Sequence, residues 1–167
     1  MDSPKEGEQR PIYALIWCGI AMVLIGFAAL ASQRPFIFPS LGPTAIMLFS
    51  KPLQRDASPR HIILGHLAGA LSGYFALWVT GLIGVSFSPH IDIARVGAAA
   101  IALALTAAIT LLGKCEHAPA GATTLIVALG ILPRPLDLAF LMAAVVGLAI
   151  LGFLANRASG VRYPLWR

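Results

Sequence analysis

The chain has 167 residues, of which 58% are hydrophobic and 11% are charged, whereas roughly 25% of the residues in a soluble domain are charged. With a mean hydropathy of +0.83, this composition excludes a water-soluble globule and indicates an integral membrane protein. The formal net charge of +5 comes from basic residues scattered singly between apolar runs, so we expect no nucleic-acid partner.

Charge-free stretches divide the chain into six successive segments. They cover residues 11–33, 35–50, 61–91, 96–113, 117–133 and 138–156. Four of them hold the ~18 or more residues that a helix needs to cross a bilayer core of ~30 Å. The second and fifth are shorter and open with helix-breaking sequence, at 35–40 and 117–120. We therefore predict an all-α membrane protein with four full transmembrane helices and two broken or half-membrane helices.

The distribution of Lys and Arg predicts whether the broken segments cross the membrane or turn back within it. If both cross, nine basic residues lie on one face and three on the other; if both turn back, each face holds six. Because basic residues accumulate on the cytoplasmic face, the uneven division favours six crossings with both termini in the cytoplasm. A broken segment of about six extended and nine helical residues reaches roughly 33 Å, which is enough to cross.

The two broken segments resemble each other, which indicates an internal repeat. Each has a proline, small residues and then Gly-x-Thr entering a helix, and Gly42 and Gly121 are 79 positions apart. Three membrane segments per half is an odd number, so the second half must be inverted relative to the first, as in many transporters. We predict a cytoplasmic N-terminal tail at residues 1–10 and a single transmembrane domain at residues 11–156. Within that domain the first repeat covers about 11–85 and the second about 93–156. A basic cytoplasmic tail follows at residues 157–167.

A helix that starts inside the membrane presents N–H groups that no preceding turn pairs. Pro43 suits the first turn of such a helix, and neighbouring hydroxyls can cap it. Two such starts, one from each half, would offer donors and partial positive charge to a small anion. The predicted substrate-binding residues at these starts are Ser40, Gly42, Thr44, Gly121, Thr123 and Thr124. The alternative is that both segments are kinked helices whose hydroxyls bond back to their own carbonyls.

Two histidines complete the set of predicted binding residues. His66 lies about one turn into a long apolar segment, and His117 directly precedes the second broken segment. Ionisable residues at membrane depth tend to be functional, and a histidine can donate to an anion or relay a proton. A packing role for His66 and an interfacial position for His117 stay open. The chain carries no motif of a zinc protease, a phosphate-binding loop or a serine hydrolase, so we expect no enzyme activity, no cofactor and no metal site.

Small residues recur at every fourth position in the third segment of each half. They are Gly65, Gly69 and Gly73 in the first half and Ala139, Ala143 and Gly147 in the second. This spacing lets the backbones of membrane helices approach closely. We expect both stripes to pack helices, and the glycine stripe to provide the contact of a homo-oligomer.

Three stretches of the sequence resemble the HPP family of small integral membrane proteins. They are Phe38 to Ala45, Gly65 to Gly69 and His117 to Thr124, and the similarity extends over nearly the whole chain. The family is named for a His-Pro-Pro triplet, which reads His117-Ala118-Pro119 here, so the turn lacks one proline. Family members are usually described as four-helix proteins, and plant and cyanobacterial relatives have been linked to nitrite transport. The resemblance therefore implies that a small anion such as nitrite is carried.

The helix-start argument and the resemblance agree on a transporter or channel for a small inorganic anion. Two other functions remain open: a non-transporting structural or assembly subunit that binds a partner through the glycine stripe, and a permease for a small neutral solute. The expected location is a bacterial inner (plasma) membrane, where the lipid bilayer and the anion are the partners.

Overall fold

The computed structural model of the protein describes residues 11–34 and 36–164. All regular structure in these residues is helical. The elements are α1 (Pro11–Ser32), α2 (Leu41–Ser50), a 3-10 helix (Arg55–Ala57), α3 (Pro59–Val79), α4 (Ile93–Leu112), α5 (Ala120–Ala128) and α6 (Pro135–Ala158). By length and composition, α1, α3, α4 and α6 could each span a membrane, while α2 and α5 have 10 and 9 residues. The predicted four full helices and two half-membrane helices are confirmed.

Glycines with a left-handed backbone end two of the helices. The charge-free stretch at 61–91 is helical only to Val79, because Gly81 and Gly84 follow with φ of +71° and +75°. Gly130, with φ of +77°, closes the turn after α5, and a Cβ there would lie 2.6 Å from Arg95 Nη1. Apolar composition therefore overestimates the length of α3, whereas backbone geometry sets where it stops.

Contacts between helix termini show which parts of the chain share one end of the bundle. Tyr13 Oη lies 3.2 Å from Asn156 Oδ1, and Asn156 Nδ2 donates to Leu48 O at 3.2 Å. Arg60 Nη1 donates to Lys114 O, also at 3.2 Å. The start of α1, the ends of α2 and α6, the start of α3 and the end of α4 therefore lie at this end, which is termed the basic end.

The remaining termini meet at the opposite end of the bundle. The rings of Phe36 and Phe140 are 5.6 Å apart, which places the chain after α1 beside the start of α6. Phe87 N–H donates to Gly130 O at 2.8 Å, which joins the loop after α3 to the turn after α5. The guanidinium of Arg95 donates to carbonyls of that same loop at 2.8 and 3.1 Å.

Both broken segments run the full length of the bundle. The first passes from Phe36, beside Phe140, to the end of α2, beside Asn156. Those two residues of α6 are about 24 Å apart at 1.5 Å per helical residue, so this segment does not return to the end where it began. The second passes from Lys114 at the basic end to Gly130 at the other. This arrangement is the one that six crossings require.

The division of Lys and Arg between the two ends agrees with the predicted one as far as the structure describes it. Of the described Lys and Arg residues, six lie at the basic end and three at the other end. The six are Lys51, Arg55, Arg60, Lys114, Arg157 and Arg162, and the three are Arg34, Arg95 and Arg134. Lys5, Arg10 and Arg167 lie outside the described residues. So do the whole predicted tail at 1–10, Pro35, and residues 165–167 of the predicted C-terminal tail.

The third helix of each half packs against the first two helices of the other half. α3 contacts α4 and α5, α6 contacts α1 and α2, and α3 and α6 contact each other. A Cβ added at Gly73 of α3 would lie 2.7 Å from Val127 Cβ, and one at Gly152 of α6 would lie 2.6 Å from Leu48 Cγ. In both contacts the equivalent residues are 79 positions apart, as Gly42 and Gly121 are. The predicted inverted repeat is therefore visible in individual contacts.

The glycine stripe of α3 is used within the chain. A Cβ at Gly65 would meet His117 Cβ at 2.7 Å, and one at Gly69 would meet Ala120 O at 2.8 Å. The stripe is a helix-packing surface, but α5 of the same chain covers it. Gly65, Gly69 and Gly73 are buried in this arrangement, and a homo-oligomer through them stays a prediction that would require α5 to move away.

Candidate functional site

One histidine of α3 joins the two half-helices. His66 Nε2 lies 3.0 Å from Thr44 Oγ1 in α2, and His66 Nδ1 lies 2.7 Å from Thr123 Oγ1 in α5. All three side chains are 0% exposed. Thr44 and Thr123 are 79 positions apart, so they are equivalent residues of the two repeats. The histidine thus bridges the same position of both halves where the starts of the broken helices meet.

A second histidine reaches the same threonine from the turn before α5. His117 Nε2 lies 3.1 Å from Thr44 Oγ1, and its Nδ1 lies 2.8 Å from the main-chain oxygen of Asp56. The rings of His66 and His117 are 5.0 Å apart. The absence of a side chain at Gly65 allows His117 to approach α3 this closely. Thr44, His66, His117 and Thr123 are termed the histidine–threonine network.

The loops around the network are tied down at the basic end. His61 Nδ1 lies 2.9 Å from Glu116 O, which holds the chain just before His117. The buried hydroxyl of Tyr163 donates to Ala57 O, next to the carbonyl that binds His117. Burial raises the pKa of the Tyr163 phenol far above its usual value, so this group stays a donor. The chain after α6 therefore supports the loop that orients His117.

The main-chain amides at the helix starts are less available than the sequence suggested. In α5 the N–H groups of residues 120–122 donate to the carbonyls of residues 117–119 at 2.9 to 3.1 Å. Leu41 N–H, at the start of α2, donates to Phe38 O at 2.9 Å. The side chain of Ser40 makes no capping bond to α2. The prediction of free amides is wrong for the first turn of α5, because a tight turn before the helix already pairs them.

The other predicted residues surround the network without bonding to it through their side chains. Ser40 O lies 2.9 Å from Thr44 Oγ1, while Ser40 Oγ is fully buried and has no partner among the described residues. Thr124 Oγ1 lies 2.8 Å from Thr106 Oγ1 and donates to a carbonyl of its own helix. Gly42 is half-buried and has open space beside it. Of the hydroxyls predicted from sequence, Thr44 and Thr123 are the two that meet the histidines.

An open cleft beside α4 reaches one edge of the network. Its volume is about 330 Å³, and Gly121 and His117 line it on one side. Thr106 and Thr110 of α4 line the other side, where both hydroxyls also bond to carbonyls of α4. The cleft therefore meets the network at His117, and Gly121 lines it beside that residue.

Two groups that position the site were missed by reasoning from sequence. Asp56 acts through its main-chain carbonyl, which no sequence pattern marks. Thr106 supports Thr124 from α4. It was open to detection, because a hydroxyl in an otherwise apolar span often marks a contact between helices.

Comparison with known proteins gives a family assignment. The family model described as HPP, transmembrane region, matches residues 5–164. No curated protein and no solved structure matches the chain. The match includes both half-helices and both histidines of the network, together with the His117-Ala118-Pro119 variant of the naming triplet. The chain belongs to the HPP family, and it is an integral membrane protein.

Proposed function

We propose that the protein is a transporter or channel for a small inorganic anion, and that the histidine–threonine network lies on the anion's path. The observation that carries this proposal is the meeting of both half-helices at His66. Transporters built from inverted repeats bind substrate where discontinuous helices of the two halves meet. Irregular backbone at membrane depth is tolerated where protein covers it or where it lines a cavity, and the two broken helices meet at such a covered point.

The chemistry of the network favours an anion over a cation. Its four side chains offer hydroxyl and imidazole N–H donors, and none of them is a carboxylate. Ser40 adds a buried hydroxyl that has no partner among the described residues. The HPP resemblance adds nitrite as the anion of first choice, because relatives have been linked to nitrite transport.

Passage of an anion requires the two halves to separate at the network. Thr44 belongs to the first half and Thr123 to the second, and His66 and His117 connect them by bonds of 2.7 to 3.1 Å. All four residues are buried, so the path is closed at this point in the structure. Rocking of one half against the other would open it.

The same proposal includes the orientation of the protein in the membrane and the expectation that it has no enzyme activity. Basic residues concentrate at one end of the bundle, which we assign to the cytoplasm of a bacterial cell. Both tails would then be cytoplasmic.

The direct test is uptake by purified protein in liposomes. Nitrite, nitrate, chloride and formate are offered in turn, and liposomes without protein give the leak. We expect saturable uptake of nitrite that the other small anions inhibit to different degrees. The Ser40→Ala variant should raise the half-saturating concentration about tenfold or more, because a bond to a charged ligand contributes about 1.5 to 3 kcal/mol. Ser88→Ala, in an exposed loop, is the matched control. Folded protein that moves none of the anions above the leak would support the structural-subunit alternative instead.

A further inference from the structure

The direction of each hydrogen bond in the network follows from elementary donor and acceptor chemistry. A main-chain carbonyl only accepts, so His117 Nδ1, at 2.8 Å from Asp56 O, carries a hydrogen. In a neutral ring the other nitrogen is then an acceptor, and Thr44 Oγ1 is the atom next to it, at 3.1 Å. Ser40 O is a second acceptor within reach of the Thr44 hydroxyl, at 2.9 Å, but only donation to His117 pairs its Nε2. In the network with neutral rings the Thr44 hydroxyl therefore donates to His117.

The same reasoning continues to the second ring. Because the only hydrogen of the Thr44 hydroxyl is given to His117, Thr44 Oγ1 accepts from His66 Nε2, 3.0 Å away. His66 Nδ1 is then an acceptor, and Thr123 Oγ1 donates to it at 2.7 Å. The bonds run one way, from Thr123 through His66, Thr44 and His117 to the Asp56 carbonyl. In this form both rings are neutral and every hydrogen of the four side chains has an acceptor.

The network can accept one proton without losing a bond. The proton adds to the lone pair of His117 Nε2, and the Thr44 hydroxyl turns its hydrogen to Ser40 O, which it already faces at 2.9 Å. The two lone pairs of Thr44 Oγ1 then accept from His66 Nε2 and His117 Nε2. No bond between heavy atoms changes, and the gain is one positive charge on the His117 ring.

That charge is buried and needs a counter-charge. His117 is 4% exposed, and no ion pair joins it to a carboxylate within the described residues. Asp56 contacts the ring through its main-chain oxygen, His61 of α3 lies 2.9 Å from Glu116 O, and the Glu116 side chain is exposed. Among the helices, α1, α2 and α5 carry no charged residue, and the charges of α3, α4 and α6 lie near the helix ends, at Arg60, Arg95, Asp137 and Arg157. Arg60 donates to Lys114 O at 3.2 Å, so the charge that α3 brings to the loop before His117 is also positive.

We infer that the network binds an anion together with one proton, so that the protein is a proton-coupled carrier of the anion. This inference rests on the proposed function and adds the coupling ion to it. The neutral network is satisfied by its own bonds and offers no charge to an anion. The protonated network lacks only a negative partner, so each ion raises the affinity for the other by the same factor. His66 and His117 are the residues that hold and pass the proton.

The test uses the unmodified protein in liposomes that contain a pH-sensitive dye. Nitrite uptake and internal pH are followed together, with the membrane potential clamped by potassium and valinomycin. We expect one proton to enter with each anion, and an inward gradient of about one pH unit to drive about tenfold accumulation at any clamped potential. Uptake that follows the potential and ignores the pH gradient would overturn the inference while leaving anion transport intact. Failure of the proposed function has a different signature, because no tested anion would enter at all.

Variants of the two rings provide a second readout. In His66→Gln and His117→Gln the amide can keep hydrogen bonds but cannot hold a proton, so we expect any remaining uptake to lose its response to the pH gradient. His90→Gln, at an exposed position, is the matched control and should respond as the parent does. Nitrogen-15 spectra of the parent protein near neutral pH test the bond directions without any variant. Three rings are buried, and His61 Nδ1 also faces a main-chain oxygen, that of Glu116. We expect hydrogen on Nδ1 in His61 and His117 and on Nε2 in His66, and a His66 ring with hydrogen on Nδ1 would overturn the assignment.

Discussion

The two halves of the molecule share their backbone plan but differ in chemistry at the centre. Thr44 and Thr123 are equivalent and both are buried. The positions equivalent to His66 and His117, however, are Val145 and Phe38, which are buried in the apolar core. The repeat therefore brings two half-helices to one point, while each half adds one histidine that has no counterpart in the other half. The internal repeat sets the position of the histidine–threonine network, and the differences between the two repeats supply its titratable histidines.

Helix packing shows the same difference. α3 presents Gly65 and Gly69 to α5, whereas the equivalent positions of α6 are Ala144 and Leu148. A side chain at Gly69 would collide with backbone and hydroxyl atoms of α5, but the Leu148 side chain is accommodated in the core around α2. At these positions α3 and α5 therefore approach more closely than α6 and α2 do, and this closeness allows His117, just before α5, to lie beside α3.

The largest expected effect concerns the inverted arrangement of the halves. Arg55 and Ser88 are exposed and lie at opposite ends of the bundle. The test uses the single-cysteine variants Arg55→Cys and Ser88→Cys, each made in a protein from which Cys18 and Cys115 have been removed. An impermeant thiol reagent added to intact cells should label Ser88→Cys and spare Arg55→Cys. Labelling of both from the same side would contradict the inverted arrangement.

The next effect tests the closeness of α3 and α5. In Gly69→Ala the new Cβ would lie 2.8 Å from both Ala120 O and Thr124 Oγ1, so overpacking should cost about 1 to 3 kcal/mol of folding free energy. Gly147→Ala is the matched control on α6, because a Cβ there has nothing within 4 Å. It should be neutral or stabilise by up to about 1 kcal/mol through helix propensity. Melting temperatures in detergent give both values, and equal values would show that the glycine contact is not tight.

A smaller effect separates the two equivalent threonines. Thr44→Val breaks contacts with both rings, whereas Thr123→Val breaks one. We expect Thr123→Val to weaken apparent anion affinity roughly tenfold and Thr44→Val to weaken it further, since each lost bond to a charged group costs about 1.5 to 3 kcal/mol. Thr80→Val, whose hydroxyl bonds to carbonyls of its own helix, is the control. Concentration dependence that is the same for parent, Thr44→Val and Thr123→Val would remove these hydroxyls from the path.

The smallest effect concerns support of His117 from the chain after α6. Tyr163→Phe removes the bond to Ala57 O and leaves the ring in place beside Phe153, so the melting temperature should fall by the equivalent of about 0.5 to 1.5 kcal/mol. If the loop positions His117, the pH response of uptake should change as well. Tyr74→Phe is a comparable change at a half-buried ring on α3 and should leave that response as it is. A fall in stability with an unchanged pH response would restrict Tyr163 to a structural role.

The sequence alone determined the class of protein, the number of long helices and the two broken segments. Those features depend on local composition: apolar length fixes what can span a bilayer, and Pro39 and Pro119 interrupt a helix wherever the rest of the chain lies. The spacing of Gly42 and Gly121 was enough to detect the repeat, and the basic residues were enough to favour six crossings over four.

Only the tertiary structure decided which of the candidate residues meet. Ser40, Thr124 and the two glycines satisfied the same local pattern as Thr44 and Thr123, but the crossing of α2, α3 and α5 brings only these two threonines to the rings. Hydrogen bonds between residues 22 to 73 positions apart, and the carbonyl of Asp56, leave no mark in local sequence. The glycine stripe carries the same lesson, since its spacing specifies close packing but not the partner, and the fold places α5 there before any second chain can reach it.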